Sequence, residues 1–251
     1  MPRFRRLNVF FSPPEPSHVR GRVLAVIDTA RAATTLTTLI AGGATAVYPV
    51  PSEAEARALA KTLPGAQLCG ERGGQRIAGF DFGNSPTVFA AMDVRGLQLV
   101  QTTSNGTRAA ALAAHAAAAF VVCLRNRAAA ARALRDAAAP DELDLAIVCA
   151  GEQRATTASV EDAFTAGALT ALLLDGDGPG ALFAESGARL ALRIFDAYDR
   201  DPAQALADAP HANYLTSLGY GEDIRYAGEL DCEPIVPRAG VDKAGRVVVR
   251  R

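Results

Sequence analysis

Tryptophan is absent, methionine occurs twice and histidine three times in this 251-residue chain. His18, His115 and His211 lie far apart, so neither a histidine-built metal site nor a Ser–His hydrolase arrangement finds support. The four cysteines, Cys69, Cys123, Cys149 and Cys232, form no close pair, which excludes a CxxC redox site and a zinc framework and leaves reduced, mostly buried thiols as the expectation. No excess of one charge exists either: 26 Lys and Arg stand against 27 Asp and Glu. With 6% aromatic residues, the chain lacks the basic, aromatic surface that nucleic acid selects. The most apolar run, Ala109 to Leu124, is interrupted by His115 and falls short of the roughly 18 residues of a membrane span. The opening MPRFRRLNVFFSPPEP has too small an apolar patch for a secretory signal. The expectation is a cytoplasmic protein that binds neither nucleic acid nor membrane.

What is present is the composition of an ordinary globular protein, 49% hydrophobic and 21% charged, long enough for one large domain or two small ones packed closely. Short β-branched apolar runs alternate with alanine-rich stretches at helical spacing, the pattern of strands and crossover helices. Strands are expected at Leu7 to Phe11, Val23 to Asp28, Ala46 to Val50, Gln67 to Cys69, Leu97 to Thr102, Phe120 to Leu124 and Leu145 to Cys149. Helix starts are signalled at Ser52, Ser85, Asn126, Ser159 and Asp201, where a capping side chain precedes a helical run. From Ser159 to about Tyr226 the chain reads mainly as helix, and Pro234 to Val249 as a closing strand pair turning near Asp242 to Gly245. The fold class is α/β, a layered α/β/α arrangement with a mostly parallel or mixed sheet, in a single domain over 1–251. Arg31-Ala-Ala and Arg108-Ala-Ala sit in similar segments, so an internal duplication, with units near 22–64 and 96–139, would give two similar intertwined lobes.

Four places carry candidate chemistry. Asp28 ends an apolar strand and precedes TARAATT, at the edge where open α/β sheets place ligands; an Asp there also serves as an ordinary turn residue. Thr34 and Thr35 open the following helix despite their poor helix propensity. The glycine-punctuated segment from Cys69 to Pro86, with Glu71, Arg72, Arg76, Asp81, Asn84 and Ser85, is too long and too polar for a plain connection and reads as a binding loop. In QTTSNGTRAA, Asn105, Gly106, Thr107 and Arg108 stand at a helix start, where free amides and an arginine suit a phosphate. Finally, Glu152, Glu161 and Asp162 are candidate oxygen ligands for a hard cation, although Asp162 also fits a cap with Ser159. Cys149 and Arg154 are one residue too close for a cysteine-phosphatase loop, so Cys149 is expected to be a packing residue.

Together these residues resemble the 2-phosphosulfolactate phosphatases, a magnesium-dependent family placed in coenzyme M biosynthesis. The resemblance rests on VLAVIDTARAATTLTTLIAGGA, GERGGQRIAGFDFGNSP, TTSNGTRA, the CAGE and SVEDAFTAGAL segments and LTSLGYGEDIRYAGELDCEPIVP, and so covers nearly the whole chain in order. One departure is the small Thr29-Ala30 pair before Arg31, where family members carry a bulkier residue. The resemblance implies hydrolysis of a phosphate monoester on a sulfonated lactate. It makes Asp28, Arg31 and Glu71 catalytic candidates, and Thr34, Thr35, Arg72, Asn84, Ser85, Asn105, Gly106, Thr107 and Arg108 substrate-binding ones. Mg2+ would be held by Asp28 with Glu71, Glu161 or Asp162. The implied partner is a small anionic phosphorylated substrate, and a homo-oligomer is the family-level expectation. A same-fold phosphatase for another phosphorylated hydroxy acid and a non-catalytic phospho-acid binding protein are the alternatives.

Overall fold

The computed structural model describes residues 5–175 and 182–251. Among them eleven strands form one mixed sheet. In chain order these are β1 (Arg5–Phe10), β2 (Val23–Ile27), β3 (Ala46–Pro49), β4 (Gln67–Arg72), β5 (Gln75–Arg76), β6 (Gln98–Thr102), β7 (Ala118–Val122), β8 (Leu145–Cys149), β9 (Leu182–Ala184), β10 (Arg238–Val241) and β11 (Val247–Arg250). Their spatial order is β5-β4-β6-β3-β11-β10-β7-β2-β8-β1-β9. One block, β9, β1, β8, β2 and β7, is parallel throughout. A second, β3, β6 and β4, is also parallel within itself. The antiparallel hairpin β10–β11 joins them, pairing with β7 on one side and β3 on the other, so the two blocks run in opposite directions.

The chain crosses between blocks twice. β2 leads through helix α1 (Ala32–Ala41) into β3, and β6 leads through α4 (Gly106–Ala111) into β7. Segments 22–64 and 96–139 thus each place one strand in each block. Between these crossings lie α2 (Glu53–Ala60) and α3 (Pro86–Ala90); after them come α5 (Arg127–Ala138), α6 (Val160–Leu174), α7 (Ser186–Ala197), α8 (Pro202–Asp208), α9 (Pro210–Leu215) and α10 (Gly221–Ala227).

Every residue of β2 and β8 is buried, which explains their unbroken apolar sequence: helices cover both faces. Strand alternation divides the core in two. Leu24 and Val26 pack with Leu36, Leu39 and Ile40 of α1 and Ala109 of α4. Val23, Ala25 and Ile27 face the opposite way, toward Ala130 and Leu134 of α5 and Leu169 of α6. The layered α/β/α expectation holds, and the sheet is mixed rather than mostly parallel because the closing hairpin lies in its centre.

Four of the five caps form as read: Ser52, Ser85, Ser159 and Asp201 each accept from a backbone amide inside the next helix. Asn126 does not cap α5 with its side chain; its Oδ1 accepts instead from the Cys123 amide, tightening the turn before the helix. The stretch from Ser159 to Tyr226 is not wholly helical, since the short edge strand β9 interrupts it; residues 176–181 of that stretch lie outside the described residues. No helix among the described residues is long and apolar enough to cross a membrane.

Candidate active site

Asp28 follows the last residue of β2, and its Oδ1 accepts from the Ala32 amide at 2.8 Å, holding the first turn of α1 over the strand end. A Cβ at Gly106 would stand 2.5 Å from Asp28 Oδ2, so only glycine leaves the space before that oxygen open. The turn after β6 thereby closes on the turn after β2. These turns, together with the binding loop and α9, wall a small, tight cleft lined by Asp28, Arg31, Glu71, Asn84, Asn105 and His211, among others.

The acids are arranged unequally. Glu71 Oε1 accepts from the Ser104 amide at 2.7 Å and its Oε2 from the Gly74 amide at 2.9 Å. Asp162 Oδ1 accepts from the Thr29 amide at 2.8 Å and Oδ2 from the Gly151 amide at 3.1 Å. Both carboxylates are thus spent on backbone amides and fix the loops around the cleft. Glu161 is the reverse case: its Oε2 is buried with no hydrogen-bond partner. Burial, reinforced by repulsion from Asp162, pushes Asp28 up to about 8 and Glu161 likewise up to about 8. Burial also raises Asp162, to about 6. Of these three only Asp28 lines the cleft, Glu161 and Asp162 lying outside its lining, and a displaced carboxyl in a cleft marks a functional site better than any single motif does.

Among the described residues no group of three or more His, Cys, Asp or Glu side chains forms a metal cage. Magnesium needs none, since it commonly takes one or two carboxylates and fills its shell with water and phosphate oxygens. Asp28, with open space before Oδ2, and Glu161, with its orphaned Oε2, have the chemistry for that.

Arg31 is buried and lines the cleft. Of the other residues singled out from sequence, Asn84 and Asn105 reach the same cleft. Asn84 Oδ1 accepts from Gln101, and Asn105 Oδ1 from the Ala155 amide. Gly106 acts by its lack of a side chain. Thr34 and Thr35 are buried, and their hydroxyls donate to the Thr29 and Asn84 carbonyls, so they brace the turn and the loop. Ser85 caps α3. Arg72 is exposed and donates to Thr102 and to the Glu71 carbonyl. Thr107 and Arg108 line a separate groove with Pro49, Leu59 and Arg246, and Arg108 donates to the Arg154 carbonyl. Cys149 is wholly buried, and burial pushes its thiol up, in line with a packing role.

Two residues of the site escaped the sequence reading. His211, at the start of α9, lines the cleft, and burial holds its imidazole below the usual value. Asp223, in α10, is buried against Arg31. The signal for Asp223 was present in the GEDIRYAGEL string; His211 offered only its rarity.

A mixed α/β sheet with an acid-lined, arginine-bearing cleft at its strand ends is the frame of an enzyme acting on small anions. The chain belongs to the 2-phosphosulpholactate phosphatase family, whose model matches residues 11–240. It is 38% identical over 215 residues to a Deinococcus radiodurans protein named "Probable 2-phosphosulfolactate phosphatase", with 86% of each chain covered. Proteins of the same name from Symbiobacterium thermophilum, 35% identical with 94% of this chain and 97% of the relative covered, and Carboxydothermus hydrogenoformans, 30% identical with 97% of both covered, extend the likeness over nearly the full length.

Proposed function

We propose that this protein is a magnesium-dependent phosphatase of the cytoplasm that hydrolyses the phosphate monoester of 2-phosphosulfolactate, releasing sulfolactate and inorganic phosphate. The observation that carries the reading is the convergence of Asp28, Arg31, Glu71, Asn84 and Asn105, from separate segments of the chain, on one cleft, in a chain whose named relatives bear that activity in their names. The unpaired cysteines suit a reducing compartment.

The cleft is rich in acid, and its arginine already faces Asp223, so a multiply charged anion needs a further cation to enter. Asp28 and Glu161 would hold magnesium, with Asp162 and Glu71 fixing the backbone around them. When bound, the ion supplies positive charge to the phosphoryl oxygens. Arg31 and the side-chain amides of Asn84 and Asn105 orient the phosphate through N–H donors. In the displacement, water oxygen bonds to phosphorus as the phosphorus–ester oxygen bond breaks. His211 takes the proton from the attacking water, a role suited to an imidazole kept neutral by burial, and the departing oxygen on the far side of phosphorus takes its proton from solvent.

The reading is tested by phosphate release from 2-phosphosulfolactate, phospholactate, phosphoglycerate and an aryl phosphate, each with magnesium and with chelator. Selective, magnesium-dependent release from the sulfonated ester is expected. Preference for an unsulfonated acid would move the substrate within the same class; release from none, by folded protein, would replace the enzyme reading with that of a phospho-acid binding protein.

A further inference from the structure

We infer that Asp223 is a positioning residue for phosphate recognition, holding Arg31 in the orientation from which its unpaired donors face the cleft. This rests on the reading of the cleft as a phosphate-ester site. Arg31 Nη1 donates to Asp223 Oδ2 at 2.8 Å, with the two side chains 2% and 1% exposed. Arg31 Nη2 donates to the Gly74 carbonyl at 2.7 Å, and the guanidinium lies 4.2 Å from the centre of the Tyr220 ring. A carboxylate, a carbonyl and an aromatic face thus fix the plane of the group on three sides. Five N–H donors belong to a guanidinium, and the two bonds above engage one at each Nη. The remaining donors have no protein partner among the described residues, and the residue lines the cleft.

Asp223 is itself fixed from the other direction. Its Oδ1 accepts from the Ser85 hydroxyl at 2.7 Å, the Thr87 hydroxyl at 2.5 Å and the Thr87 amide at 3.3 Å. One carboxylate therefore ties together α10, the start of α3 and the turn after β2, of which the turn lines the cleft through Arg31. Removing its charge would leave Arg31 buried beside a weaker partner. The guanidinium would then turn from the geometry that meets a phosphate with two donors at once.

The test is calorimetric binding of inorganic phosphate in magnesium chloride, alongside thermal unfolding, for the wild type, Asp223→Asn, Arg31→Lys, the double variant and Thr87→Val. Asp223→Asn keeps the shape and a hydrogen-bond acceptor, and should weaken phosphate binding about tenfold or more, the worth of a hydrogen bond to a charged group. In the double variant the loss should be no greater than in Arg31→Lys alone, because both changes disable the same contact. Thr87→Val removes a hydroxyl that meets both Asp223 Oδ1 and Ser85, and should weaken phosphate binding less than Asp223→Asn does, because the charge beside Arg31 stays; a loss as large as that of Asp223→Asn would count against the inference. Unaltered binding in folded Asp223→Asn, or losses that add in the double variant, would overturn the inference alone. Phosphate bound by neither wild type nor variant would sink the cleft reading and this inference with it.

Discussion

Ionising Asp28 inside the fold is costly, since burial and the neighbouring Asp162 both oppose its charge. The same charge is what a cation at that place requires, so activity and stability pull in opposite directions. Asp28→Asn should abolish magnesium-dependent turnover and, in chelator, raise the unfolding midpoint of the protein at about pH 8; retained turnover would remove Asp28 from the centre. The pH dependence follows the same sign. Asp28 and Glu161 have folded values above their unfolded ones, up to about 8. Their stabilising contribution is therefore complete below the ordinary carboxylate range and is lost as pH rises through the folded values. His211, shifted downward by burial, works the other way, but only below about pH 6.5, the ordinary imidazole value. Between about pH 6.5 and pH 8.5 the metal-free protein should lose stability, and addition of magnesium should restore it. Midpoints that rise across this interval in chelator would contradict the assignment.

At the scale of elements, the short turn beginning α4 and the loop after β8 shape the site through their backbones. A methyl group at Gly106 would meet Asp28 Oδ2 at 2.5 Å and the Ala32 methyl at 2.8 Å. Gly106→Ala should therefore cost most of the turnover, with a lowered unfolding midpoint beside it, whereas an unchanged kcat would show the space before Oδ2 to be unused. Beyond β8, Gln153, Arg154 and Ala155 all have φ between 49° and 65°, a left-handed run of three residues that bear side chains. Replacing exposed Gln153 with glycine should stabilise the fold by about 0.5 to 1 kcal/mol in denaturant unfolding, because glycine takes that conformation without the steric cost; destabilisation would show that the side chain has a role the strain conceals. Elements with local causes were legible in the sequence. Ser52, Ser85, Ser159 and Asp201 cap because hydroxyl or carboxylate and amide lie within a few residues of one another. Asn126 was misread because its oxygen had a rival donor in Cys123, three residues back, which no capping pattern records.

Across the whole molecule, legibility fails where partners are distant in the chain. The apolar runs located seven strands, and Asp28 and Asn105, each read separately as a candidate at the end of a strand, line one cleft. Nothing local told that β10 and β11 would separate the two parallel blocks, nor that Asp223, far beyond Arg31 in the chain, would be its counter-ion. A long-range consequence can be measured: a chain cut after Pro237 loses a hairpin that pairs with both β7 and β3. It would expose two strand edges in the middle of the sheet rather than one at its margin. Such a chain should be recovered only as aggregate, and a soluble, magnesium-binding product would show that the blocks can meet without the hairpin. The position of that hairpin also orders events during synthesis. Since β10 and β11 are made after every strand they join, the two blocks must wait on the ribosome with unpaired edges facing each other.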